Sequence, residues 1–316
     1  MQKRALGKSN LEIVPLVFGG NVFGWTADEA TSFRLLDAFV DRGFDAVDTA
    51  NMYSAWVPGH QGGESEALIG KWLAKSGKRD KVKLFTKVGM PMGDGSKGLS
   101  KAYILQQAED SLKRLQTDYI DLYQSHQDDA ATPFEETLEA YEVLVKQGKV
   151  RAIGASNYSG KRLTEILEVA ASKRLPAYIS LQPQYNLHHR QEYEQELAPV
   201  LEKYGLGAIP YWSLAAGFLT GKYKSKADVA GAQRAGQVST YFDERGEKIL
   251  QALNEVVAET GAKHASVALA WLLAQPTVTA PIASASKPEQ LDGLFASVEL
   301  KLTEAQLKKL TDAGAY

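Results

Sequence analysis

The chain is expected to fold as an α/β protein, a (β/α)8 TIM barrel with an N-terminal hairpin cap and extra C-terminal helices. Three observations predict this. Eight short apolar, β-prone runs recur along the 316 residues, helix-period segments separate them, and no linker or low-complexity tract divides the chain. Strand then helix, repeated about eight times, requires parallel strands joined by crossover helices. Eight such units close best as a barrel, in a single domain over residues 1–316, with a doubly wound open sheet as the second solution.

In chain order, LGKSNLE (6–12) reads as a hairpin-like turn suited to cap the barrel bottom. The strand runs are IVPLVFG (13–19), FDAVDTA (44–50), KVKLFTKVG (81–89) and DYIDLYQSH (118–126), then VRAIGASN (150–157), YISLQPQ (178–184), LGAIPYWS (206–213) and VTAPIASAS (278–286). A helix over 27–43 puts Phe33, Leu36, Phe39 and Val40 on one face and Gly43 just past its end. Further helices are expected over 64–78, 99–116 with Ser100 as N-cap, 132–149, 159–173 and 189–205. The helix over 132–149 opens with Thr132 as cap and Pro133 at the first helical position, and ends at Gly148. The least regular stretch, 222–242, is long for an idle loop inside a compact domain.

Composition narrows the partners. The 36 Lys and Arg nearly balance the 38 Asp and Glu, so no strong field exists to gather nucleic acid or an anionic membrane, and a small molecule is the expected partner. With no cysteine, disulfides, thiolate nucleophiles, Cys-ligated zinc and iron–sulfur clusters are excluded. The opening MQKRALGKSNLEIVP lacks the apolar run of a signal peptide, and no stretch approaches the roughly 20 apolar residues of a membrane span. A cytoplasmic monomer is the default reading.

In such a barrel the chemistry sits at the C-terminal ends of the strands. There the sequence places Asp48 with Tyr53 five residues on, then Lys87, His126, Ser156 with Asn157, and Gln182. A free phenol, with a pKa of about 10, is a poor acid at neutral pH. A neighbouring ammonium lowers that pKa, and a carboxylate keeps a buried lysine charged. Asp48 is therefore expected to hold Lys87, and Lys87 to tune Tyr53 toward proton transfer, with His126 orienting a substrate oxygen. Taken singly, each has an ordinary reading: a loop hydrogen-bonder, a packing ring, a solvated amine, a lone imidazole. Together, at the tops of three consecutive strands, they form a constellation.

FDAVDTANMYS, LFTKVG, YIDLYQSHQDD and VRAIGASNYS, in that order, resemble the signatures of the aldo-keto reductases, and YWSLAAGFLTGKY and PIASASKPEQL extend the resemblance over nearly the whole chain. The last two resemble the bacterial branch that includes potassium-channel β-subunit relatives. The resemblance implies a barrel binding NADPH (NADP+) in extended form, with Tyr53 as general acid toward an aldehyde or ketone, Lys87 and Asp48 as the tuning pair, and His126 positioning the carbonyl. It also implies cofactor contacts. Gly20 and Asn21 would lie under the cofactor, Ser156, Asn157 and Gln182 would bind the carboxamide, and Tyr211 would stack on the nicotinamide. Backbone from Trp212 through Ser213, Leu214, Ala215 and Ala216 to Gly217, with Lys222, would hold the pyrophosphate. Ser284 to Lys287, including Ser286, would take the 2′-phosphate, with Gln290 near the adenosine. The sequence departs from the family pattern at Gly293-Leu294, where Glu-Asn is frequent, at Trp212 and Ser213 in the YSPL motif, and at Ser284.

Other patterns carry less. FGGNVFG (18–24) fails the dinucleotide fingerprint because Asn21 stands at its middle glycine. His60, His188 and His189 lack metal-ligand spacing, so no metal is expected. Trp25, Trp56 and Tyr185, with Phe23, are expected to line the substrate mouth. Two alternatives stand beside carbonyl reduction: a cofactor-bound regulatory subunit with slow turnover, and a Schiff-base aldolase using Lys87.

Overall fold

The computed structural model describes residues 1–316. The chain begins with a hairpin, β1 (Arg4–Ala5) antiparallel to β2 (Glu12–Ile13). Strands β3 (Val17–Gly19), β4 (Ala46–Asp48), β5 (Lys83–Val88), β6 (Ile120–Ser125), β7 (Val150–Ser156), β8 (Ser180–Gln182) and β9 (Gly207–Ala208) then pair in parallel, each with the next. The eighth, β10 (Ile282–Ala283), pairs with β3. A bridge from Ala208 to Val278 brings β9 to the segment before β10, giving the (β/α)8 barrel. The strands are shorter than the apolar runs that predict them, because the ends of each run turn into loops that carry polar side chains.

The helices fall close to their sequence periods. They are α1 (Glu29–Asp41), α2 (Glu64–Ser76), α3 (Lys101–Leu115), α4 (Phe134–Lys146) and α5 (Gly160–Lys173). Ser100 caps α3 by accepting from Tyr103 N, as expected. On α1 the buried face is Ser32, Leu35, Leu36, Phe39 and Val40, with Phe33 only partly covered. Pro133 is itself the N-cap of α4, and the Thr132 hydroxyl donates to Asp129 Oδ2 at 2.7 Å instead of capping. The helix expected over 189–205 is divided into a π turn (Tyr193–Leu197) and α6 (Ala198–Tyr204). Pro199 explains this, because it has no N–H to offer Gln195 O and the ladder shifts around it. After β9 come α7 (Ala235–Ser239), α8 (Glu244–Thr260) and α9 (His264–Leu273), and after β10 the terminal α10 (Leu291–Glu299) and α11 (Glu304–Ala313). The terminal pair packs on α9 and α8.

Two cores result. The larger lies between strands and helices. The smaller fills the barrel from below, where Leu6 and Ile13 of the hairpin join Val17, Ala46, Phe85, Leu122 and Ile282. The hairpin plugs the bottom closely: Gly7 has φ +59, and a Cβ there would meet Ile179 O at 2.5 Å. Above this apolar floor, facing the strand C-termini, the interior turns polar.

Helices α2 and α3 meet through a second close approach. A Cβ on Gly70 would stand 2.0 Å from Arg114 O. Gly70→Ala is therefore expected to destabilise the fold by about 1–3 kcal/mol, despite alanine's higher helix propensity, and the shift in urea midpoint measures it.

Candidate active site

Asp48 closes β4, Lys87 lies on β5, and both are shut off from solvent, at 1% and 0% exposure. The Lys87 ammonium has three hydrogens and three acceptors: Asp48 Oδ2 at 2.6 Å, Thr49 O at 2.8 Å and Tyr53 Oη at 2.9 Å. Because Lys87 donates to the phenol oxygen, the phenol's own proton is free for another acceptor. His126 follows β6, its backbone N–H donating to Val88 O, and its ring stands edge-on to Tyr53 with centroids 5.8 Å apart.

Burial opposes the charge on Lys87, but Asp48 and the Tyr53 oxygen outweigh it and its pKa ends above the ordinary 10.5. Tyr53 departs from the sequence expectation. Burial pushes its phenol above 10.0, Lys87 draws it down only in part, and Asp48 adds to the rise. The sequence shows the cation but not the desolvation, and desolvation wins. The phenol is thus neutral at neutral pH and carries a proton to give. Burial first, and the Lys87 charge second, hold His126 well below 6.5, so it is a neutral imidazole.

These groups open into a cavity of about 1040 Å³. Asp48, Tyr53 and His126 lie in its wall at one end, with Trp25 and Trp56 beside them. The rings of Trp25 and Trp56 meet edge to face at 5.7 Å, and Trp56 meets Tyr53 at 5.9 Å. Ser156, Asn157, Gln182 and Tyr211 line the next stretch. Asn157 donates through Nδ2 to His126 O at 2.8 Å and accepts from Tyr211 Oη at 2.9 Å. Gln182 Nε2 is turned to Asp48 Oδ1 at 3.0 Å. Asn21 faces the cavity, 2.6 Å from the Ser284 hydroxyl, which donates to Gly19 O.

Beyond them come Trp212, Ser213, Leu214, Gly217 and Lys222. The backbone here is unusual: Trp212 (φ 51), Ala215 (φ 49) and Ala216 (φ 56) sit in the left-handed region without being glycine. Such conformations cost free energy and gather at functional sites. Ser284, Ser286 and Gln290 line the far end, along with Gly293 and Leu294.

Five expected residues stand outside the cavity wall. Phe23 is fully buried, stacked on Phe18 with ring centroids 5.5 Å apart, and does not reach the mouth. Tyr185 is not at the mouth. It is 1% exposed, stacked on Tyr193 at 4.1 Å, and its hydroxyl donates to Glu194 at 2.8 Å, so it belongs to the helix-side core. Gly20 lies behind the wall, where a Cβ would meet Asp48 O at 3.0 Å. The Ala215 methyl is fully buried beneath the backbone turn. Lys287 is exposed on the rim, outside the cavity wall.

Arg234, Lys263 and Gln124 are among the wall or near-wall residues that sequence reasoning missed. Arg234, from the irregular 222–242 stretch, reaches the cavity with its guanidinium 5.2 Å from the Trp25 ring centroid. Burial lowers its pKa and no carboxylate offsets this. Lys263 crosses Gly293, whose Cβ would sit 3.3 Å from Lys263 Cδ. Gln124, inside β6, binds Asp48. Arg234 and Lys263 fall in no recognisable motif, and Gln124, although inside YIDLYQSHQDD, carries no role there that the sequence alone reveals. The one signal available was that a long irregular loop carries an arginine.

The family model of the Aldo/keto reductase family matches residues 15–315. Among curated relatives, an uncharacterized oxidoreductase YrpG of Bacillus subtilis is 39% identical over 99% of this chain and 95% of its own length. A putative voltage-gated potassium channel subunit beta of Schizosaccharomyces pombe is 32% identical over 98% of this chain and 92% of its own. An L-glyceraldehyde 3-phosphate reductase of Escherichia coli is 33% identical, covering 92% and 86% respectively. The chain belongs to the aldo/keto reductase family, and the family is one of oxidoreductases that generally use a nicotinamide cofactor on small carbonyl substrates. No helix is long and apolar enough to cross a membrane.

Proposed function

We propose that the protein is an NADPH-dependent carbonyl reductase acting on aldehydes or ketones, with Tyr53 as proton donor. One observation carries this reading: Lys87 spends all three of its hydrogens on Asp48, Thr49 O and Tyr53 Oη, leaving the phenol hydrogen beside the cavity. An oxygen developing negative charge between Tyr53 and His126 would accept that hydrogen from a donor already fixed in place.

The cavity suits a dinucleotide. Its wall carries the Tyr211 ring and the amides of Asn157 and Gln182, and along the remainder Lys222, Arg234 and Lys263 outnumber the one carboxylate, Glu289. Unpaired cations lining a cavity call for an anionic ligand, and phosphates supply it. When bound, the reduced nicotinamide supplies the hydride. Asn157 and Gln182 would hold its amide, Tyr211 would cover one ring face, and the strained turn at 212–217 would offer backbone N–H groups. The aldolase alternative fits less well, because Lys87 is sealed, triply hydrogen-bonded and held as an ammonium. A nucleophilic amine needs the opposite.

Titration of tryptophan fluorescence with NADPH and then NADH, followed by an aldehyde panel, tests the proposal. Binding of NADPH with turnover is expected; binding of neither sinks it. For the 2′-phosphate, Lys263→Ala in the wall, and Lys287→Ala on the rim between the wall residues Ser286 and Gln290, are each expected to weaken NADPH by roughly tenfold while leaving NADH within twofold. Equal loss for both cofactors would remove these lysines from phosphate recognition.

A further inference from the structure

Asp48 has two carboxylate oxygens, and Lys87 uses only one. The other, Oδ1, is enclosed in the barrel and accepts from two amides, Gln124 Nε2 at 3.1 Å and Gln182 Nε2 at 3.0 Å. Gln182 Nε2 also lies 3.3 Å from Gln124 Oε1, so the three side chains form one network. Gln182 stands in the cavity wall, whereas Gln124 does not and is 0% exposed.

The backbone places Gln124 there by register. On β6 it is level with Lys87 of β5 and with Gly154 of β7. Strand alternation turns Leu122 and Gln124 into the barrel and Tyr123 and Ser125 toward the helices, where Ser125 bonds Tyr141 and Tyr178. Gly154 leaves the space that Gln124 crosses: a Cβ there would stand 3.3 Å from Gln124 Cγ and 2.5 Å from Ser180 Oγ. A buried primary amide is costly unless its groups are paired. The polar groups this one meets are Asp48 and Gln182. An apolar side chain would otherwise continue the floor that Leu122 begins.

We infer that Gln124 is a positioning residue for the Tyr53 acid: it fixes the rotation of the Asp48 carboxylate so that Oδ2 meets Lys87, and it ties Asp48 to the carboxamide-binding Gln182. This rests on the reductase reading above and adds to it a residue that never touches substrate. Without Gln124, Asp48 Oδ1 keeps only the Gln182 amide and the carboxylate is held less firmly. Lys87 is then no longer held squarely against the phenol. The chemical step suffers, and carbonyl binding does not.

The test compares wild type, Gln124→Leu and Gln124→Glu by steady-state kinetics on one aldehyde that the wild type reduces, from about pH 5 to 9. Tryptophan quenching by NADPH follows binding in parallel. For Gln124→Leu, kcat is expected to fall at least tenfold at every pH, with KM for the aldehyde and NADPH affinity within about threefold. Gln124→Glu distinguishes positioning from packing. Its added carboxyl lies beside Asp48, so the two share a proton and its pKa is raised. Protonated, it donates an O–H to Asp48 Oδ1 as the amide does; ionised, it repels Asp48. Its kcat is therefore expected to recover toward wild type as pH falls, while Gln124→Leu stays low. If both variants keep the wild-type kcat and pH profile, the inference is overturned. If Gln124→Leu does not fold, a Gln124→Glu profile parallel to wild type overturns it alone. Failure of the wild type to reduce any carbonyl with either cofactor would instead remove the reductase reading, and this inference with it.

Discussion

Tyr53→Phe is expected to lower carbonyl reduction by ~10²–10⁴-fold, the usual worth of a positioned proton donor, while NADPH affinity stays within about twofold. The reasoning is geometric. Phenylalanine keeps the ring between Trp56 and His126, whose centroids lie 5.9 and 5.8 Å away, so the packing of the cavity end survives. What is lost is the one hydrogen not already engaged, together with the oxygen that accepts from Lys87. His126, neutral at this pH, can still hydrogen-bond a carbonyl oxygen but is poorly placed to replace an acid whose position Lys87 fixes. Parallel turnover and quenching assays measure both effects. Turnover at a comparable rate in the variant would show that the proton comes from elsewhere. The same variant reads the phenol itself. Subtracting its ultraviolet titration from that of wild type isolates Tyr53, which is expected to ionise above pH 10 in the cofactor-free protein because burial outweighs Lys87.

The barrel was legible because hydrophobic period alternates between two values along the chain, and period depends on local sequence. The four polar residues at strand tops were legible because they interrupt apolar runs at the same end of successive strands. The sign of the Tyr53 shift was not, since neighbours can be inferred from strand order but burial cannot. Gln124 lies inside a strand run, and nothing in LYQSH says whether a glutamine faces the barrel axis or the helices until register with Lys87 and Gly154 is known. Tyr185 failed in the reverse way: it lies near Gln182 in sequence, yet it points outward, its ring 5.5 Å from that of Trp271 on α9. Lys263 is brought to Gly293 by helix packing alone, so the missing side chain at 293 and the lysine that covers it could be connected only in three dimensions.

Lys87→Met is expected to remove turnover and to destabilise the fold, and separating the two is the informative part. Methionine nearly matches the lysine stem, but it leaves the Asp48 carboxylate sealed at 1% exposure with no cation. Removing one partner of a buried pair costs about 3–5 kcal/mol, much of it the penalty of the charge left behind. The two glutamine amides on Oδ1 soften this without neutralising it. Asp48→Asn combined with Lys87→Met takes both charges away, so most of the stability is expected to return while turnover does not. Activity regained by the double variant would mean that Lys87 served the fold alone. The pH dependence gives a second check. Lys87 has its folded pKa raised above 10.5, so its contribution to stability is fully present below that value and is lost as pH rises through the folded pKa. Wild type should therefore lose more stability than the double variant on going from neutral pH to above 10.5, as read from urea midpoints at each pH. If the two lose stability in parallel, the buried ammonium is not what couples the fold to alkaline pH.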